Sequence, residues 1–172
     1  MHRNAIIAAA GIMAILVVPR VGLADPPLHA EVHFGTEVGS PFPPPEQHDQ
    51  SLHARDKIVP RTVVISAGGS ITFEIYPFHQ VAIYEAGTEP EDIEVGPGTL
   101  IDANFPCPPF TIPDFVIDDP DGRIARSPSL ECEEMDWETP AGVFDEPGRY
   151  LMICTTAPHF LEADMFGWII VK

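Results

Sequence analysis

The chain has 172 residues, of which 26 are acidic and only 9 are basic, so its formal net charge is −17 at neutral pH. This negative charge excludes general binding to nucleic acids and opposes binding to anionic lipid surfaces. Two interpretations of the acidity remain open: electrostatic docking to basic proteins, or simple solubility outside the cytoplasm. The length suits a single domain with one adequate hydrophobic core, and we expect a monomer.

The N-terminal 24 residues have the pattern of a secretory signal peptide. His2 and Arg3 supply a short positive region, residues 5–18 are apolar, and Gly22-Leu23-Ala24 offers small residues for cleavage. The apolar run is shorter than the ~20 residues that span a bilayer, which disfavours the alternative of an uncleaved membrane anchor. We therefore predict a periplasmic or secreted protein with no membrane span after signal cleavage of residues 1–24.

The mature chain divides into an N-terminal extension, residues 25–56, and one domain, residues 57–172. In the extension, residues 30–34 alternate in polarity and predict a first strand at the edge of a sheet. The prolines of residues 41–45 favour an extended connection. The histidines of this part have no mutual metal-binding spacing, and we interpret them as solvent-exposed: His29, His33, His48 and His53.

Three strands are predicted near the start of the domain, over residues 62–66, 70–75 and 79–84. The first is rich in β-branched residues, and the second alternates strictly between apolar and polar residues. In the third, His79 shares a face with Val81, so its ring is expected to point into the core.

Residues 86–146 lack a clear periodicity and predict an irregular insertion, because they are rich in Pro, Gly, Asp and Glu. Cys107 and Cys132 both lie in it, and we predict that they form a disulfide worth about 3 kcal/mol. Cys154 would then be the unpaired cysteine of an exported protein. Residues 131–137 are compatible with a short helix, at the end of which Trp137 is expected to pack the insertion against the rest of the domain.

The C-terminal stretch, residues 147–172, predicts two strands, 149–153 and 166–171, joined by a loop. Both strands are apolar on both faces, which is typical of strands inside a sheet. The loop carries Cys154, His159 and Met165 in that order.

A thiolate, an imidazole and a thioether on one loop suit copper better than other common metals. The inward-facing His79 supplies a second imidazole, and the set becomes two histidines, one cysteine and a weak axial methionine. This is the ligand set of a blue-copper electron-transfer centre. The odd cysteine supports the same interpretation, because metal coordination protects a thiol in an oxidising compartment.

The order of one early histidine followed by Cys154, His159 and Met165 resembles the cupredoxins of the plastocyanin/azurin type. The resemblance covers roughly residues 57–84 and 144–172, and it departs in the gap before Met165, which is one residue longer than usual. It implies an all-β, Greek-key β-sandwich that binds one type 1 copper ion. It also implies a carrier of single electrons between redox proteins, and not an enzyme. Gln80 stands where the family usually has Asn and is expected to hydrogen-bond the ligand loop.

Two alternatives to an electron carrier remain open at the level of the sequence. In the first, a copper-dependent oxidoreductase, Glu162 or Asp164 binds copper and an open position takes a small ligand. In the second, the protein carries or stores copper without using its redox chemistry. A cysteine hydrolase is a poor fit, because Cys154 ends a strand and no helix N-terminus lowers the pKa of its thiol.

Overall fold

The structure is a computed structural model that describes residues 25–35, 56–106, 109–128, 130 and 132–172. The predicted signal peptide, His48, His53 and Cys107 lie outside these residues. Eleven strands, one helix and a short 3-10 helix at Pro90–Asp92 make up the described elements. In chain order the strands and the helix are β1 (His29–Phe34), β2 (Ile58–Val59), β3 (Thr62–Ile65), β4 (Ser70–Ile75), β5 (Val81–Ala86), β6 (Leu100–Pro106), β7 (Pro109–Ile117), β8 (Arg123–Arg126), β9 (Met135–Glu138), β10 (Gly148–Cys154), α1 (Ala157–Ala163) and β11 (Phe166–Val171).

Two sheets form the body of the domain, one of four strands in the order β2-β1-β4-β9 and one of five in the order β3-β11-β10-β5-β8. The prediction of an all-β sandwich is confirmed, whereas its Greek-key connectivity stays a prediction. Strands β10 and β11 lie inside the larger sheet, as their two apolar faces predict. Strand β1 exists as predicted, but its edge position is wrong, since β2 and β4 flank it.

The core lies between the two sheets because each contributes one apolar face. The alternation of β4 buries Ile71, Phe73 and Ile75 almost completely, and they pack in one cluster with Met152 of β10 and Ile169 of β11. Cys154 and Met165 belong to the same cluster. The predicted loop residues are therefore continuous with the rigid core.

A second cluster covers the outer face of the five-stranded sheet. Tyr84, Leu151 and Ile153 are fully buried there against Ile117 of β7 and Phe160 of α1. Both faces of β10 are thus packed, so the strand that ends at Cys154 has little freedom to move.

The segment 86–146 is more regular than its composition predicts. Strands β6 and β7 form a two-stranded hairpin, while β8 and β9 each add an edge strand to one of the two main sheets. The proposed helix at 131–137 is wrong, because β9 occupies Met135–Glu138. Trp137 does pack this part on the sandwich, with its ring stacked on Phe73 at a centroid distance of 5.6 Å.

Among the described residues, no helix is long and apolar enough to cross a membrane.

Candidate metal centre

Cys154 ends β10 and is paired with Val81 at the start of β5. Its side chain is 0% exposed, and the thiol is free. Burial raises the pKa of the Cys154 thiol to about 11, although hydrogen bonds from the backbone N–H groups of Gln80 and Thr156 act in the opposite direction. The thiol is therefore protonated at neutral pH unless a cation replaces the proton.

His159 lies in the third position of helix α1, which follows Cys154 almost at once. Pro158 occupies the first turn, where the missing N–H costs the helix no hydrogen bond. This short helix brings Nδ1 of His159 to 3.7 Å from Sγ of Cys154. The sequence predicted a loop here, and the helix explains how the ring folds back onto the thiol.

The His159 ring is largely buried. Its side chain is 15% exposed, and Nε2 faces a carboxylate oxygen of Asp56 at 3.7 Å.

His79 precedes β5 and points inward, as its position beside Val81 predicts. Its ring lies next to that of His159, with the two centroids 4.6 Å apart. Nδ1 is 2.9 Å from the carbonyl oxygen of Pro77 and 3.2 Å from that of Tyr76. Because a carbonyl oxygen can only accept, Nδ1 is the donor in these contacts, and Nε2 is turned towards Oδ1 of Asp56, 3.2 Å away.

Gly35, just after β1, forms one wall of the His79 site. A Cβ at this position would lie 2.5 Å from two atoms of the His79 ring, and the backbone has φ +83°. Both features require glycine.

Asp56 is the functional candidate that the sequence did not indicate. Its side chain is buried, and Oδ1 lies 3.2 Å from Nε2 of His79. Asp56, His79 and His159 bring three potential ligand atoms within 4.8 Å of one another. No sequence spacing relates Asp56 to the two histidines, because tertiary contacts determine its position. One of them holds the next residue: Gly35 donates its backbone N–H to the carbonyl of Lys57 at 2.8 Å.

Met165 joins α1 to β11 and is 1% exposed. Its backbone ties it to both predicted ligands of the loop, because its N–H donates to the carbonyl of His159 at 3.0 Å and its carbonyl accepts from Cys154 at 2.9 Å. The rival carboxylates Glu162 and Asp164 are exposed. The structure places Met165 beside Cys154 in the core, and its axial role stays a prediction.

Gln80 makes the predicted connection between the two parts of the centre. Its Oε1 accepts the hydroxyl hydrogen of Thr155 at 2.8 Å, and its backbone carbonyl accepts the Thr155 N–H at 2.9 Å. Arg126 donates to the same Oε1, through Nε at 3.0 Å and Nη2 at 2.8 Å. The residue after Cys154 is therefore fixed to the residue after His79.

The β6–β7 hairpin reaches the ligand loop from the other side. The N–H of Ile117 at the end of β7 donates to the carbonyl of Thr155 at 2.7 Å, and Val116 forms a bridge with Thr156. The backbone between Cys154 and helix α1 thus has partners on two sides.

The predicted disulfide has one member within the described residues. Cys132 is described, while Cys107 lies outside the described residues, so the Cys107–Cys132 pairing stays a prediction. Cys154 is free, as expected.

The donor set of the centre fits a metal ion. Two imidazoles and a buried carboxylate bring one donor atom each within 4.8 Å of one another, and the buried thiol faces Nδ1 of His159 at 3.7 Å. Such a concentration of polar groups is costly inside a protein unless protons or a cation compensate it. The thiol and the imidazoles favour copper or zinc over magnesium or calcium.

No protein-family model and no curated protein matches the chain. Solved structures that are similar to it include a dithionite-reduced auracyanin from the photosynthetic bacterium Roseiflexus castenholzii. That protein is 15% identical, the match covers 84% of this chain and 97% of that one, and the TM-score is 0.47.

Two further similar structures are named as copper proteins or cupredoxins. One is auracyanin A, a "blue" copper protein from Chloroflexus aurantiacus, with 16% identity, coverage of 85% and 99%, and a TM-score of 0.44. The other is a purple cupredoxin from Nitrosopumilus maritimus, with 16% identity, coverage of 83% and 99%, and a TM-score of 0.38. They are of the kind that the predicted resemblance names, but at TM-scores below 0.5 the functional conclusion depends on the residues of this chain.

Proposed function

We propose that this chain is a cupredoxin-type copper protein that carries single electrons between redox proteins. The observation that carries the proposal is the free, fully buried Cys154 thiol with Nδ1 of His159 at 3.7 Å. His79 lies beside this pair, and Met165 follows it on the chain. Cys154, His159 and His79 would hold one copper ion, with Met165 as its weak axial ligand.

Copper bound to these residues would supply a one-electron change between Cu(I) and Cu(II). The protein's contribution is to keep the ligands in nearly one arrangement in both states. Cys154 ends a strand that is packed on both faces, and Gln80 joins Thr155 to the His79 segment. These contacts support a centre whose ligands move little when its charge changes.

Loading of the metal must displace the proton of Cys154. Because burial raises the pKa of this thiol to about 11, Cys154 is a neutral thiol in the unloaded protein at physiological pH. Copper binding at neutral pH is therefore expected to release a proton. The backbone N–H groups of Gln80 and Thr156 are in place to stabilise the resulting thiolate.

The order Cys154, His159 and Asp56 also resembles the order of groups in a cysteine hydrolase. Two observations disfavour that activity. The thiol has no exposed surface, so a substrate carbonyl cannot reach it, and its raised pKa opposes the thiolate that such a nucleophile needs. The same burial suits a metal ligand.

The acidic surface supports docking to basic redox proteins, with a formal net charge of −17. Electrostatic docking of this kind accelerates association and weakens as salt is added. The proposed carrier acts outside the cytoplasm, in agreement with the predicted signal peptide.

The decisive experiment is the visible spectrum and copper content of the protein after oxidation. One copper per chain, an intense thiolate-to-copper charge-transfer band and reversible one-electron redox are expected. A pale or red site that binds small anions would favour the oxidoreductase instead. Binding of Cu(I) alone, with no Cu(II) form, would favour a copper carrier.

A further inference from the structure

A buried carboxylate contacts both candidate imidazoles, and the proposed ligand set does not use it. Asp56 is 6% exposed, and its Oδ1 lies 3.2 Å from Nε2 of His79 and 3.7 Å from Nε2 of His159. A carboxylate taken out of water is unfavourable unless it is paired or hydrogen-bonded. Its place between two rings indicates a role in the centre itself.

The two nitrogens of His159 have different surroundings. Nδ1 lies 3.7 Å from the sulfur of Cys154, whereas Nε2 faces Asp56. A histidine that binds a metal through one ring nitrogen commonly donates the N–H of the other to a carboxylate or a carbonyl, which fixes the tautomer and the direction of the ring. The same arrangement is present here, with the Cys154 thiol on one side of the His159 ring and the Asp56 carboxylate on the other.

We propose that Asp56 is a positioning residue of the copper centre. Its carboxylate pairs electrostatically with the Nε2–H of His159 across 3.7 Å and thereby fixes Nδ1 as the nitrogen that faces the Cys154 thiolate. This inference rests on the proposed function, because it assigns a role at the same centre. An anionic acceptor makes the ring a stronger donor to the metal, which favours Cu(II) over Cu(I) and lowers the reduction potential.

A direct bond between Asp56 and the metal is the competing arrangement. The separations of 3.2 and 3.7 Å are compatible with one ion held by Asp56, His79 and His159, since metal–ligand bonds are about 2.0–2.2 Å long. Such an ion would not use the Cys154 thiol, which lies 3.7 Å from Nδ1 of His159, and the following variant separates the two arrangements.

The test compares copper-loaded wild type with Asp56→Asn, which keeps the size of the side chain and removes its charge. Affinity for Cu(II) is expected to fall about 10- to 100-fold, and affinity for Cu(I) less. For each factor of ten by which the loss of Cu(II) affinity exceeds the loss of Cu(I) affinity, the reduction potential rises by about 59 mV. The charge-transfer band and the class of the EPR spectrum are expected to stay.

Glu91→Gln is the matched control. It also removes one negative charge, but Glu91 is exposed and lies in the 3-10 helix that follows the far end of β5. This variant reports the effect of net charge alone.

Two results overturn the proposal. In the first, Asp56→Asn changes the spectrum to that of another copper class, which would make Asp56 a ligand. In the second, the copper affinities and the reduction potential of Asp56→Asn equal those of Glu91→Gln, which would leave Asp56 a structural role only. Should the variant not fold, nitrogen-15 spectra of the wild-type Cu(I) protein decide, because this state is diamagnetic. A metal-bound Nδ1 and a slowly exchanging Nε2–H of His159 support the proposal, and a rapidly exchanging Nε2–H overturns it.

The failure of this inference differs visibly from the failure of the proposed function. Wild type that takes up no copper, or that shows no charge-transfer band, contradicts the copper electron carrier. Wild type that shows both, with Asp56→Asn equal to its control, contradicts the role of Asp56 alone.

Discussion

The two halves of the candidate centre are built in different ways. The loop half is local: Cys154, His159 and Met165 follow one another between β10 and β11, and backbone hydrogen bonds join Met165 to both of the others. The other half is assembled from distant parts of the chain. Gly35 and Asp56 both come from the N-terminal side and meet at the ring of His79.

This difference separates what creates the centre from what tunes it. The loop half holds the thiol, and two packed faces of β10 fix its position, so its geometry depends on the sandwich itself. The His79 half depends on a few long-range contacts around a single ring. Damage to the loop half should abolish the centre, and damage to the His79 half should weaken or alter it.

The largest effect is expected from Cys154→Ser, which removes the thiol and keeps the shape of the side chain. The charge-transfer band should disappear and most of the copper affinity with it, because the sulfur is the strongest donor of the set. The sandwich should remain folded, which circular dichroism and thermal unfolding would check. Failure of the variant to fold, while wild-type apoprotein folds, would show a structural role of the thiol.

Gly35→Ala is expected to have the next largest effect, on the His79 half alone. The new Cβ would lie 2.5 Å from the His79 ring, so the ring must move, and copper affinity should fall on the order of 10-fold or more. A copper titration followed by visible absorption measures the change.

Gly68→Ala is the control for Gly35→Ala, because it introduces the same strained conformation, at φ +77°, with nothing within 4 Å of the new Cβ. Both variants should lose similar stability from the backbone, and only Gly35→Ala should lose copper affinity. Equal affinities would contradict the role of Gly35 as a wall of the site.

Met165→Leu tests the axial position and should have a smaller effect. If Met165 is the weak ligand, the reduction potential rises and the blue colour is kept, because the three strong ligands are unchanged. Met152→Leu is the matched control, since Met152 is equally buried in the same core cluster. A reduction potential that is unchanged in Met165→Leu but shifts in Asp164→Asn or Glu162→Gln would contradict Met165 as the axial ligand.

Cys132→Ser should leave the spectrum of the centre unchanged. It is expected to lower the free energy of unfolding by about 3 kcal/mol if Cys107 and Cys132 close a loop, which denaturant titration measures. Mass mapping of a non-reduced digest gives the pairing directly. A peptide that joins Cys154 to either cysteine would contradict both the disulfide and the copper centre.

The sequence predicts the loop half better than the His79 half, for a physical reason. The period of two in β4 and β10 indicates which side chains are buried, and the order of Cys154, His159 and Met165 depends only on local spacing. The inward direction of His79 follows from the same period. Asp56 was not predictable, because its place depends on how β1 and β2 pair, which no local pattern records.

Three short elements were also missed. Helix α1 is only seven residues long, too short for its apolar periodicity to be distinguished from that of a loop. Within residues 86–146, strands β8 and β9 have four residues each, and their pairing with β5 and β4 is decided by tertiary contacts. A composition rich in Pro and Gly does not reveal such short edge strands.

The hydrogen bonds that Thr155 makes on two sides determine how fast its amide hydrogen should exchange. Its N–H donates to the carbonyl of Gln80, and its carbonyl accepts from Ile117, while the residue is fully buried. Its amide should therefore exchange only when a larger part of the sandwich opens, even without metal. A ligand loop usually belongs to the most rapidly exchanging parts of a domain; the amide of Thr155 should exchange as slowly as those of the central strands.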